Sequence, residues 1–137
     1  MKILAIIILS LSILSCSKFD SVHFINNFEE IAKTANTIPT LSSRILKIRE
    51  FGECDNNICP SEILYIAVSE FGEYPEQKLY KTPKADEWSF VNWEHIPQLG
   101  EANPTLIINL KNRNKKKVSY YKVKANLNTV IFTEVKR

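Results

Sequence analysis

Glycine is scarce in this chain, at three residues in 137, and histidine is scarcer, at two. So few glycines leave little material for a backbone loop that closes on phosphate, and neither a phosphate loop nor a dinucleotide fingerprint occurs. The patterns G-x-S-x-G and H-E-x-x-H are missing as well. His23 and His95 lie far from each other and from the cysteines, whereas a zinc site wants about four donors at suitable spacing. Neighbouring carboxylates, Glu29 with Glu30 and Asp86 with Glu87, read as solvated surface, because an acid and base couple must flank a bond across a cleft. The expectation is therefore a protein that is not an enzyme and holds no cofactor and no metal. For a catalytic role, His95 would have to reach a Ser, Asp or Glu inside a pocket.

Excess charge of one sign is also small. Eighteen Lys and Arg stand against fifteen Asp and Glu, a net charge of +3. A nucleic-acid binder would show a concentrated basic face. Here both signs read as mixed along the chain, which suits a solvated surface, and no nucleic-acid partner is expected.

Long apolar runs are confined to the start, MKILAIIILSLSILSC over residues 1–16. One lysine, an apolar and serine stretch and a small residue before Cys16 have the layout of an export signal. The stretch is short for a membrane-spanning helix. With Ile13, Ser15 and Cys16 in place, it resembles the lipobox of bacterial lipoproteins. That resemblance implies cleavage after residue 15, a lipidated Cys16, a tether over residues 16–19 and one globular domain over residues 20–137. The acyl chains would form the membrane partner, each buried methylene contributing about 0.8 kcal/mol. Ser17, by the sorting rule of enteric bacteria, implies the outer membrane facing the periplasm rather than the inner membrane. A plain secreted protein and an uncleaved N-terminal anchor are the other two readings.

Cleavage before Cys16 leaves 122 residues, enough for one domain with a modest core. Assigning Cys16 to lipid leaves Cys54 and Cys59 as an even pair in a compartment outside the cytosol, where a disulfide is the default. The intervening Asp55, Asn56 and Asn57 favour a chain reversal. Closing so small a loop would stabilise the fold by about 2 kcal/mol on the chain-entropy estimate. A redox pair or a metal site are the alternatives.

Over residues 20–37, Phe24, Ile25, Phe28, Ile31, Ala32 and Ala35 recur at helical spacing opposite Asn26, Glu29, Glu30 and Lys33, which predicts an amphipathic helix stopped by Pro39. Its acidic polar face favours docking on its own domain over lying on a membrane. Beyond Pro39 the texture is short β-branched and aromatic runs. Strands are predicted over 43–51, 62–71, 77–82, 88–93, 105–112, 117–126 and 129–136, a β domain over 43–136. The second strand carries apolar residues on both faces and should be central and covered on both sides. The predicted fold is mainly β, an antiparallel sandwich of about seven strands, immunoglobulin-like or transthyretin-like, with the helix laid on it. A helix packed on a single curved antiparallel sheet, as in cystatin-like folds, is the alternative.

Three groups are candidate contacts. Lys111, Arg113, Lys115, Lys116 and Lys117 cluster at a predicted hairpin tip centred on Asn112, Arg113 and Asn114. Such lysines keep a turn soluble, or meet an anionic surface. Trp88 and Trp93 differ by an odd number and so face opposite sides of a regular strand, leaving one for a core and one for a second layer or a partner, with His95 beside it. The irregular stretch 94–104 and the cysteine turn are the loops to inspect. Taken together, these residues suggest an envelope lipoprotein acting as a small accessory module for an unidentified envelope protein. A lipid-anchored inhibitor of a hydrolase such as a lysozyme or protease is the second reading.

Overall fold

The β texture resolves into eight strands in the computed structural model, which describes residues 28–34, 40–54 and 57–137. They are β1 (Glu29–Lys33), β2 (Leu41–Cys54), β3 (Asn57–Glu70), β4 (Gln77–Lys81), β5 (Glu87–His95), β6 (Leu106–Asn114), β7 (Lys117–Ala125) and β8 (Val130–Val135). All neighbours pair antiparallel. The chain makes two four-stranded sheets, β1-β2-β3-β4 and β5-β6-β7-β8, each in chain order. Both are meanders, so the described strands contain none of the crossovers that an immunoglobulin-type Greek key requires.

One core joins the sheets. Leu41, Ile45, Leu64, Ile66 and Val68 from the first meet Trp88, Leu106, Ile108, Leu110, Val123 and Ala125 from the second. In β6 the residues alternate strictly, Leu106, Ile108 and Leu110 buried with Ile107, Asn109 and Lys111 half-buried on the other face. That period of two is what a one-sided sheet dictates. As expected, β3 is central in its sheet and apolar on both faces. Leu64, Ile66 and Val68 point into the core, and Ile63 is buried on the opposite side with Tyr65 and Ala67 half-covered.

The predicted helix does not form where it can be seen. Residues 29–33 are a strand that pairs with β2, and residues 20–27 and 35–37 lie outside the described part of the chain. A register shift between Glu30 and Ala32 sets the half-buried Ile31 and Ala32 side by side against the core. Two adjacent apolar residues fit a bulged edge strand as well as they fit a helical stripe, so periodicity alone could not separate the two. Pairing along β2 then decides, with Glu30 bound to Arg44 at 2.7 Å.

The chain passes from one sheet to the other through residues 82–86, at a corner beside β3. The Thr82 N–H donates to the Leu64 carbonyl at 2.9 Å, and the Thr82 hydroxyl accepts the Leu64 N–H at 2.9 Å. Glu62 and Ala85 then exchange backbone bonds of 2.7 and 3.1 Å. A second tie crosses the sandwich where the Tyr80 hydroxyl donates to the Asn126 carbonyl at 2.6 Å.

Candidate functional surfaces

Glu62 occupies the inner face of β3 at the corner, 3% exposed. A buried carboxylate must be matched by donors, and four atoms supply them. The backbone N–H of Trp88 donates to Oε2 at 2.7 Å, Lys47 Nζ lies 3.1 Å from Oε2, and Arg49 donates Nη2 and Nε to Oε1 at 2.9 and 3.3 Å. Burial by itself raises the Glu62 pKa; the Trp88 N–H and the two cations outweigh it and hold the carboxyl below its ordinary range. Outside this knot a cleft of about 320 Å³ opens, lined by Arg49, Phe51, Pro60, Asp86, Glu87 and Arg113 among others. Its charges are mutually compensated, and the arrangement reads as the fastening of the corner. Sequence inspection missed it, because an isolated Glu in an apolar strand gives no sign of its partners on β2 and β5.

The β2–β3 hairpin is the longest element, fourteen rungs from Leu41↔Glu70 to Cys54↔Asn57. Its flanking strands cover only part of it: β1 pairs over Arg44 to Lys47, β4 over Tyr65 to Ser69. Beyond Arg49↔Glu62 five rungs project with no further strand on either side among the described residues. At about 3.3 Å per residue the projection is roughly 16 Å. Phe51 stands on it 72% exposed. Cys54 and Cys59 lie on its two strands, opposite Asn57 and Gly52, two residues out of register with each other. The strands therefore run closer to the cysteines than the predicted limits of 51 and 62.

The tryptophans and His95 do not form one patch. Trp88 is buried, donates its indole N–H to the Pro83 carbonyl at 2.9 Å and packs on Tyr121 with centroids 5.6 Å apart. Trp93 was expected on the opposite side. A bulge between Phe90 and Asn92 shifts the register by one, so that Trp88, Phe90 and Trp93 sit opposite Asn112, Leu110 and Ile108, all of the inner face. Phe90 and Trp93 are 5.0 Å apart by centroid and both pack on the core. A second shift follows at Glu94. His95 Nε2 is 2.9 Å from Glu101 Oε2, within hydrogen-bond reach but in an exposed pair. The other Glu101 oxygen accepts the Gln98 N–H at 2.9 Å, and these two bonds, Gln98 first, lower the Glu101 pKa. The stretch between β5 and β6 is thus folded around Glu101.

The basic tip is tighter than predicted. Arg113 and Asn114 stay in β6, and the turn is Lys115 and Lys116, with Lys115 at a φ of 56°. Arg113 donates to Glu87 at 2.7 Å, and Asp86 accepts the Lys115 N–H. The charge does not end at the tip. Across the outer face of the second sheet, Lys111 stands beside Tyr120 and Val135, Asn109 beside Lys122 and Thr133, and Ile107 beside Lys124 and Ile131. Arg137 lies 4.2 Å over the Tyr120 ring. Residues 106–137 hold nine Lys and Arg against one acid, Glu134, and the two meanders therefore differ in charge. The expectation of evenly mixed charge is corrected here; counting by segment instead of over the whole chain would have shown it. Only Glu87 and Glu94 bring carboxylates to this face, and they pair with Arg113 and with Lys122 at 3.0 Å.

Cys16 lies outside the described residues. Among the described residues no helix is long and apolar enough to cross a membrane, and no group of three or more His, Cys, Asp or Glu could hold a metal ion. No protein-family model, no curated protein and no solved structure matches this chain.

Proposed function

We propose that this chain is an exported lipoprotein, anchored through acyl groups on Cys16 in the bacterial envelope, whose β-sandwich is a binding module for another envelope protein. The projecting β2–β3 ribbon carries this reading. A two-stranded ribbon without a third strand is marginal in water, and it presents a largely bare Phe51. Aromatic side chains on a protruding element are the usual anchors of a protein contact. A disulfide between Cys54 and Cys59, on neighbouring strands near its end, would hold the ribbon in shape. Two experiments separate the parts. Cys16→Ser should abolish acyl labelling and release the protein from membranes; an unchanged membrane fraction and no label in the parent protein would end the lipoprotein reading. A photocrosslinker at position 51 should capture one defined partner in intact cells, while the same group at Tyr74, 94% exposed and distant in sequence, should not. Equal capture at both positions, or none at either, would remove the binding-module reading.

The same ribbon supports a second reading, a lipid-anchored inhibitor that seats the ribbon in the active-site cleft of a hydrolase. It predicts inhibition of at least one member of a panel of lysozymes and proteases, lost in Phe51→Ala. Failure against the whole panel removes it.

A further inference from the structure

We infer that the outer face of the second sheet is a docking surface for a lipid bilayer rich in anionic headgroups. This goes beyond lipidation and does not rest on it, because the face is built from strands whose charges and apolar side chains are set by register. Lys111, Lys122 and Lys124 lie on one side of the β6–β7 pair, and Lys122 and Lys124 are two residues apart along one strand, roughly 6.6 Å. The hairpin tip adds three more lysines, and no carboxylate is paired with the Lys111, Lys124 or tip side chains among the described residues. Interleaved with these cations are exposed apolar side chains of the same face, Val118 at 46% and Ile131 at 56%, with Val135 and the Tyr120 ring beside Lys111. A soluble polyanion would be matched by cations alone. A flat face that alternates cations with aliphatic and aromatic groups matches the boundary between headgroups and acyl chains, where lysine finds phosphate and the apolar groups find the first methylenes. Charge complementarity also selects the sheet, because residues 28–85 carry seven Lys and Arg against nine Asp and Glu, so the first sheet's half of the chain is slightly acidic.

The test uses full-length protein carrying Cys16→Ser, so that acylation plays no part, and extruded vesicles of phosphatidylcholine with or without 40% phosphatidylglycerol, the vesicle composition being an experimental choice of about that size. Binding to the neutral vesicles measures whatever residues 1–15 contribute, and the ratio of the two partition coefficients isolates the charged face. That ratio should be large at low salt and collapse as ionic strength rises, as screening requires. Replacing Lys111, Lys122 and Lys124 together with Gln should cut it about a hundredfold, at roughly fivefold per lysine. Replacing Lys33, Lys78 and Lys81 of the first sheet, which changes the net charge by the same amount, should cut it less than threefold by the same estimate. Equal losses from the two triple variants would show attraction by net charge alone and overturn the proposal. So would a ratio near one, or retention on soluble polyglutamate as tight as on the vesicles. Circular dichroism and thermal melts of both triple variants check that each remains folded; the lysines replaced make at most one exposed ion pair, Lys122 with Glu94.

Discussion

Glu62 on β3 accepts the backbone N–H of Trp88, the second residue of β5, at 2.7 Å, and so one carboxylate fastens the start of the second sheet to the middle of the first. The same residue exchanges two backbone bonds with Ala85, three positions earlier in the connection. Removing the carboxylate leaves the Trp88 N–H unmet and strands Lys47, whose side chain is largely buried. Breaking a buried pair on one side costs several kcal/mol, whereas exposed pairs contribute little. Glu62→Ala should therefore lower unfolding stability by about 3 kcal/mol, while Arg113→Ala, which removes the exposed pair with Glu87, should cost under about 1 kcal/mol. Urea denaturation of the two variants decides between this and a corner held by backbone bonds alone, in which case the costs would be similar.

Acid should act through the same residue. The folded Glu62 carboxyl titrates below its ordinary value of 4.5, so its contribution is complete above that value and is lost as pH falls through the depressed folded value. Stability should be level toward neutrality and decline below about pH 4.5. Glu62→Gln has no such proton to take up, and its stability against pH should be flatter on the acid side. Parallel acid limbs for the two proteins, measured by urea midpoints at a series of pH values, would assign the acid sensitivity elsewhere.

The bulge at Val91 makes a claim about fluorescence. It returns Trp93 to the face of Trp88, yet the two differ in cover, Trp88 being 1% exposed and Trp93 intermediate. In single-tryptophan variants, Trp93→Phe should leave a blue-shifted emission that acrylamide hardly quenches. Trp88→Phe should leave one that is moderately quenched, well short of free indole. A Trp93 quenched like free indole would put it on the outer face, where an unbulged strand would have placed it. Deleting Val91 should destabilise the fold, because a one-residue slip sends either the first or the last part of β5 to the wrong side.

Most of the sheet order was legible because the evidence for it is local. All seven predicted strands correspond to β2–β8, and Leu106, Ile108 and Leu110 announce their face by alternation alone. What sequence inspection missed was set by distant partners or by added residues. Residues 29–33 satisfy a helical period and a bulged strand equally, and only the edge of β2 selects the strand. One extra residue at position 91 reverses the parity argument for Trp93. Glu62 looks like an isolated charge until Lys47, Arg49 and Trp88 come together around it. The candidate lysines at 111–117 were visible as a run. Lys122 and Lys124, two residues apart on β7, join them only when β6 and β7 pair.

The tip turn separates conformation from charge in that basic run. Lys115 is held at a φ of 56°, in the left-handed region, where a side chain costs about 1 kcal/mol and Asn is tolerated better than most. Its N–H is already satisfied by Asp86, whose own N–H donates to the Asn114 side chain at 3.1 Å, so the turn is braced from β5 whatever side chain it carries. Lys115→Asn should therefore raise stability by about 0.5 kcal/mol and Lys115→Val lower it by about 1 kcal/mol. Lys116→Asn, which removes the same charge from a residue outside the left-handed region, should stay within about 0.5 kcal/mol of the parent. If the two Asn variants shift stability equally, relief of lysine repulsion at the tip is the cause and the backbone account fails. If they differ as stated, the turn tolerates a strained lysine that Asn would relieve, and the charge at that position needs a reason outside folding, such as the anionic surface inferred for this face.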